Sequence, residues 1–498
     1  MNIEEIQEII KNCKNVLNTA DIKEQSRQVP QFSWIILLKL FDHFEEERSV
    51  LDKNFVQAIK KPYRWNDWGD TGDNSITGDV LLKFVDYELF PALAKLVFTK
   101  GAESRIVLSS AFENFKNAVQ DGYKLREIIN EINKINFNES ETMENFSKVY
   151  AKELLGWAND AEKKAYFFTP RPICKFIVSK LKPDFKKNEK VFDPASGLGG
   201  FLIESFKFMK KDEKSQEDIK KLRFESLIGQ DKNPAFFLCG VVNALLNGID
   251  TPNMTNINSL SRPTKEIPPE GEYEIVMANP SYNEPEAKSI SDNLPYEIKT
   301  NDTALHFLFL AMEELKKGGR AAIILPNGPM FGTGKASKIK LRLLENFNLH
   351  TIVRLPESIF APRTGIATNI LFFEKGIPTK EIWYYELPMP KRLEDESKKK
   401  ISYNKSNPPI FEDFEELSKW FDKREKNDCA WMVPVDDVKV TNAKGNVEIN
   451  LDKKNPSIVE DVIDMSPHDL IAQIISDEKK TLDLLTDVEN LINSEIPK

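Results

Sequence analysis

From Met1 to about Tyr150, apolar residues recur at intervals of three and four, as in Trp34, Leu37, Leu38 and Phe41. That spacing predicts α-helices with one buried face. Polar breaks such as Asp70-Thr71-Gly72-Asp73 separate the helical pieces, and Asn138-Glu139-Ser140-Glu141-Thr142 reads as a loop leading into another helix. From about Asn188 the texture changes to short apolar runs, each followed by a turn and a helical segment. The strands this predicts are Lys190 to Asp193, Ser226 to Asp231, Tyr273 to Ala278, Ala321 to Leu325, Thr351 to Leu355 and Ala367 to Phe373. Strands alternating with helices imply βα units, a parallel sheet and a doubly wound α/β domain. Between Pro388 and Asn407 the chain is rich in Lys, Glu and Ser, including Lys398-Lys399-Lys400, and reads as a solvated linker. A helical period returns in the tail, at Leu470, Ile471, Ile474, Ile475, Leu482, Leu485, Val488 and Ile492. The pattern thus divides the chain into a helical domain at 1–155, an α/β domain at 156–395 and an extension with a helical tail at 396–498.

With 498 residues, 41% apolar and 30% charged, the chain has the composition of a multidomain globular protein rather than of a small stapled scaffold. No apolar run approaches the roughly 18 residues of a membrane span, and the acidic start Met1-Asn2-Ile3-Glu4-Glu5 is unlike a secretory signal. A cytoplasmic protein without a membrane partner is expected. The four cysteines, Cys13, Cys174, Cys239 and Cys429, and the four histidines, His43, His306, His350 and His468, are scattered. Their spacing suggests buried thiols and no metal site. The net charge of −9 gives the molecule no general attraction to nucleic acid, so a DNA substrate would need a partner to supply much of the grip.

Three segments carry the chemistry. In Val191-Phe192-Asp193-Pro194-Ala195-Ser196-Gly197-Leu198-Gly199-Gly200-Phe201-Leu202 a strand ends in an acidic residue, a small-residue turn lets backbone approach a ligand, and a helix opens. The dinucleotide fingerprint would need glycine where Leu202 stands, and no Lys-Ser/Thr follows to make a phosphate-binding loop. Next, Gly229-Gln230-Asp231 places a carboxylate at the end of the following strand, where it can accept from ribose hydroxyls or cap a helix. Finally, Asn279-Pro280-Ser281-Tyr282 follows the apolar strand Tyr273 to Ala278. The Asn279 side-chain oxygen and the Pro280 carbonyl can both accept from an exocyclic amine, and the Tyr282 ring can stack on an extruded base.

In this order the segments resemble the amino-group DNA methyltransferases that use S-adenosylmethionine, most closely the modification (M) subunit of type I restriction-modification systems. Tyr166-Phe167-Phe168-Thr169-Pro170-Arg171 is similar to the family's upstream cofactor motif, whose Phe and Thr-Pro surround the methionine end of the cofactor. The resemblance implies that Asp193 and the loop Ala195, Ser196, Gly197, Leu198, Gly199 and Gly200 hold the cofactor near its amino group. It further implies Asp231 at the ribose and Asn258 near the adenine. Leu325-Pro326-Asn327-Gly328 and Gly365 to Phe373 resemble later stretches of the same subunit. The family's usual tetrapeptide is Asn-Pro-Pro-Phe/Tyr, and here Ser281 takes its third place.

The implied function is site-specific transfer of a methyl group to adenine N6. Asn279, Pro280 and Tyr282 are then the catalytic residues, and double-stranded DNA, a specificity (S) subunit and a restriction (R) subunit the partners, with two M subunits per S subunit. The alternative is a scaffold subunit that binds S-adenosylmethionine without transferring methyl groups. A nicotinamide oxidoreductase fits less well, lacking the third glycine. The polar loop from Ser281 to Asp302 is a candidate to order over DNA, and Lys335, Lys338, Lys340 and Arg342 could meet phosphates.

Overall fold

The N-terminal helical pattern folds into the helices Ile3–Thr19, Gln25–Leu51, Gly122–Asn133 and Ser140–Asp160, with shorter helical pieces between them. The first opens on a capping box in which the Asn2 side chain accepts from the Glu5 amide and the Glu5 carboxylate accepts from the Asn2 amide. This computed structural model describes residues 1–51, 55–69, 71–72, 75–160, 168–212, 215–282, 286–361, 365–394, 401–457, 471–472, 474–482 and 484–486. The chain divides into two compact units, Met1–Lys454 and Asn455–Lys498. No helix among the described residues is long and apolar enough to cross a membrane.

The first unit is built on a nine-stranded sheet. Its strands are β1 (Val191–Asp193), β2 (Leu227–Gln230), β3 (Asn253–Thr255), β4 (Tyr273–Ala278), β5 (Leu315–Pro326), β6 (Phe347–Leu355), β7 (Thr368–Lys375), β8 (Glu381–Glu386) and β9 (Ala430–Pro434). They lie in the order β3-β2-β1-β4-β5-β7-β6-β8-β9. The sheet is α/β and doubly wound as expected, and β3, β2, β1, β4 and β5 are parallel throughout. The strand read at Ala367 to Phe373 is present but reversed, pairing antiparallel with both β5 and β6. The reversed strand inserts between β5 and β6 in the sheet, and a short turn, Glu357–Phe360, is described between β6 and β7.

Three strands of this sheet were not legible in the pattern. β3 is three residues long and buries only Met254. β8 and β9 lie close to or beyond the presumed linker, and together they form one edge of the sheet. The described part of that linker is anchored: Tyr403 is buried, and its hydroxyl donates to Asp413, which also pairs with Arg392 at 2.7 Å. Lys398-Lys399-Lys400 lies outside the described residues. In the second unit, residues 471–472, 474–482 and 484–486 are helical, and Ile471, Ile474, Ile475, Leu482 and Leu485 are exposed. Leu470, Val488 and Ile492 of the same period fall outside the description.

The helix Pro234–Leu246, which follows β2, ties the helical region to the sheet. Every residue from Phe236 to Leu246 is buried. On one side, the Cys239 thiol donates to the Ser33 hydroxyl at 3.6 Å, and that hydroxyl shares a 2.7 Å hydrogen bond with Tyr150, so the helix meets the N-terminal helices there. On the other, Gly240 lies so close to the loop after β1 that a Cβ would sit 2.4 Å from the Gly197 carbonyl oxygen. Gly240→Ala must therefore push that loop outward and should destabilise the protein by about 1–3 kcal/mol, the usual effect of overpacking. Urea denaturation checks this, and an unchanged midpoint would show that the loop yields freely.

Candidate active site

The loop between β1 and the helix Gly200–Met209 crosses the carboxyl ends of the parallel strands, where ligands of open α/β sheets bind. Its turns are made by Gly197 and Gly199, both at positive φ (50° and 73°), a region costly for other residues. Most backbone groups of the loop are held. Ala195 N–H donates to Asp193 Oδ1 (3.1 Å), Ser196 N–H to the Gln230 carbonyl (2.9 Å) and Gly197 N–H to Asp231 Oδ2 (2.8 Å). The Pro194 carbonyl accepts from Ser259 Oγ (2.7 Å) and the Leu198 carbonyl from Asn243 Nδ2 (2.8 Å). The backbone is thus preorganised.

Two side-chain groups on this rigid loop remain unspent. Ser196 Oγ is buried without a hydrogen-bond partner among the described residues. The Asp193 carboxyl is 1% exposed, and its one hydrogen bond, from Ala195 N–H, goes to Oδ1. Burial pushes this carboxyl well above the usual carboxylate range, and the neighbouring Asp231 charge adds to the effect. A buried acid and an orphaned hydroxyl side by side mark a place built for a polar ligand.

Asp231 does not cap the next helix; Asn233 does, accepting from the Ala235 and Phe236 amides. Asp231 instead couples loop to helix, with Oδ2 on Gly197 N–H and Oδ1 on Asn233 N–H, both at 2.8 Å. Asn258 caps the short turn Ser259–Ser261 through Oδ1, and its Nδ2 donates to Glu286 at 2.9 Å. Glu286 also pairs with Lys232 at 2.7 Å, which fastens the chain beyond Tyr282 to the rim of the site.

At the end of β4, Asn279 is buried, its Nδ2 donates to Thr169 Oγ1 (3.0 Å) and its Oδ1 accepts from the Tyr282 hydroxyl (2.9 Å). The tetrapeptide and the upstream Thr169-Pro170 therefore meet across the site although far apart in sequence. Tyr282 is itself 2% exposed, with its ring folded inward rather than presented to solvent. Arg171 Nη1 donates to the Gly200 carbonyl at 3.2 Å, joining the upstream segment to the start of the loop's helix. Tyr166 and Phe167 lie outside the described residues.

Two adjoining cavities occupy this region. One is lined by Pro194, Asp231, Lys232, Asn233, Phe236, Asn258 and Ser281 among others, the second by Thr169, Arg171, Asp193, Ser196, Leu198 and Gly200 among others. Phe168, Ala195, Gly197 and Asn279 line both, so a single elongated ligand could bend around the Phe168 ring. That ring is held edge-on against Phe236, centroids 5.2 Å apart. An elongated cleft of this kind, with acidic groups at two points and the amide of Asn279 in its wall, suits a nucleoside-bearing ligand.

Residues 141–457 match the family model described as N-6 DNA Methylase. The chain is 35% identical to the EcoEI methylase subunit of a type I restriction enzyme from Escherichia coli, over 98% of each. It superposes on the crystal structure of a modification subunit of a putative type I restriction enzyme from Vibrio vulnificus YJ016 with a TM-score of 0.80 and 34% identity, covering 92% of this chain and 98% of that one. A chain from a structural study of complex assembly and conformational transition in a type I R-M system gives 0.75 and 31%, covering 99% and 98%. The protein belongs to the type I methylase subunits.

In this methylase subunit, several site residues carry no motif signal: Lys232, Asn233, Phe236, Gly240, Asn243, Ser259 and Glu286. They act through contacts that only folding creates; of them, the Asn233-Pro234 pair at a helix start was open to reading from its capping chemistry. The basic cluster expected to meet phosphates is divided. Lys340 is 1% exposed, and its ammonium donates to the Met330 and Gly332 carbonyls, while Arg342 pairs with Glu313. Lys340 is thereby corrected to an internal brace.

Because the folded state holds the Asp193 proton more tightly than the unfolded chain does, this residue's stability contribution is present at low pH and lost as pH rises through its elevated folded value. Asp193→Asn should therefore raise the melting temperature of the ligand-free protein at neutral pH, with the gain shrinking toward about pH 4, near the ordinary carboxylate value. Thermal melts across pH test this; a lower melting temperature for the variant at neutral pH would contradict it.

Proposed function

We propose that this methylase subunit binds S-adenosylmethionine in the two-part cleft and, within a type I restriction-modification assembly, methylates adenine N6 in double-stranded DNA. The observation that carries the reading is Asn279, fixed in a buried position beside the cleft with its carbonyl oxygen facing a hydroxyl donor. Ser196 Oγ and Asp193, the unspent polar groups of the loop, fit the amino-acid end of the cofactor, and Asp193 would accept from its ammonium group. Asp231, Asn258 and the Phe168 ring fit the ribose and base, and Thr169, Pro170, Arg171, Ala195, Gly197, Leu198, Gly199 and Gly200 form the surrounding wall.

S-adenosylmethionine supplies an electrophilic methyl group. The rest of the chemistry is positioning by this chain. An adenine amine is a weak nucleophile because its lone pair is delocalised into the ring. Asn279 Oδ1 and the Pro280 carbonyl, accepting from the two N–H bonds, favour the pyramidal amine and stabilise the positive charge that grows on it. The base must leave the duplex at an expense of a few kcal/mol, and packing beside the buried Tyr282 ring offsets part of this. Asn279→Ala should lower methyl transfer at saturating cofactor by 100-fold or more, roughly the loss seen when one charge-stabilising group is removed. Parental tritium transfer by the variant in the assembled enzyme would displace Asn279 from the site.

The finer account of assembly is also proposed: two of these subunits join one specificity subunit, which selects the DNA sequence, and the restriction subunit adds to that complex. The exposed apolar stripe of the second unit supports a docking role for the tail. A chain ending at Lys454 should still bind S-adenosylmethionine and should lose co-purification with the specificity subunit. Retention of the complex would refute the docking role.

A further inference from the structure

We infer that the Tyr282 hydroxyl is a built-in competitor for the amine-binding oxygen, released by transfer to a second acceptor already in reach. The idea rests on the proposed role of Asn279 and deepens it. The hydroxyl lies 2.9 Å from Asn279 Oδ1 and 3.2 Å from the Ile324 carbonyl oxygen. A hydroxyl has a single proton to donate, so it serves one of these acceptors well at a time. In the DNA-free protein the shorter contact falls on Asn279 Oδ1, the atom a target amine must use.

Two further features make the exchange workable. The Asn279 amide is held from its other end by Thr169 Oγ1, so losing the tyrosine contact leaves the side chain oriented with its oxygen toward the amine position. The Ile324 carbonyl stands at the end of β5, the strand directly paired with β4, and it is fixed by the sheet. When an amine takes Oδ1, the buried hydroxyl turns to Ile324 and is not left unsatisfied, which would be unfavourable at 2% exposure. A phenylalanine in this place would leave Oδ1 open at all times. The tyrosine thus lowers the gain from occupying Asn279: an amine reaches Oδ1 only by displacing the hydroxyl.

The test uses the complete complex with its specificity subunit and two target duplexes. One carries adenine at the methylated position, the other purine, which has the same ring without the amine. Tyr282→Phe should raise the ratio of binding affinities for the adenine duplex over the purine duplex, by at most about fivefold relative to the parent, the ceiling set by one whole neutral hydrogen bond removed from competition. Replacement of Tyr282 by 3-fluorotyrosine, a stronger donor of nearly equal size, should shift the ratio in the opposite direction and covers the case in which the phenylalanine variant folds poorly. Equal changes on both duplexes, or an unchanged ratio in both variants, would overturn the inference. The underlying function is separable: if Asn279→Ala methylates normally, the active-site reading falls, whereas an inactive Asn279→Ala with an unchanged ratio removes only the hydroxyl's role.

Discussion

The close approach of the helix Pro234–Leu246 to the glycine loop is the constraint on which the rest of the site depends. Gly240 permits contact with the Gly197 carbonyl, Asn243 holds the Leu198 carbonyl, and the helix start is joined to the same loop through Asp231 and Asn233. One helix therefore sets the loop's height above the sheet and its curvature. With most of the loop's backbone groups satisfied internally, Ser196 Oγ is a side-chain atom left without a partner among the described residues.

The same helix transmits the position of the N-terminal region. Its far side touches Ser33 and, through that hydroxyl, Tyr150, while Asn114 donates to Asn256, whose own amide donates to the Asp231 carbonyl. The helical region thus buttresses the part of the cleft beside Asp231 and is part of what gives it shape. That arrangement explains a helix that is apolar on all sides: it is covered by the loop and sheet on one face and by helices on the other.

Burial also divides the acidic groups by task. Asp193 is sealed from solvent, and burial pushes its carboxyl well above the usual carboxylate range. Asp231 receives two backbone N–H groups and joins the loop to the start of the helix. Glu286, bonded to Lys232 and Asn258, ties the segment following the Asn279 tetrapeptide to the far rim. Three carboxylates near one cleft thereby serve three ends, decided by their surroundings rather than by their residue type.

The sequence by itself determined the α/β class, the helical N-terminal region and the two motif-bearing strand ends at Asp193 and Asn279. Those features are local: a strand period, small residues at a tight turn, and an Asn-Pro after an apolar run are set by neighbours a few positions apart. The order of its motifs also carries the resemblance to the type I methylase subunits. Tertiary structure decided the reversal of β7, the edge formed by β8 and β9, the conversion of Lys340 from an expected surface cation to a brace, and the inward turn of Tyr282 onto Asn279. Each depends on partners from distant parts of the chain, and a residue's chemistry, whether free to meet a ligand or already spent on a carbonyl or an amide, is fixed only when those partners arrive.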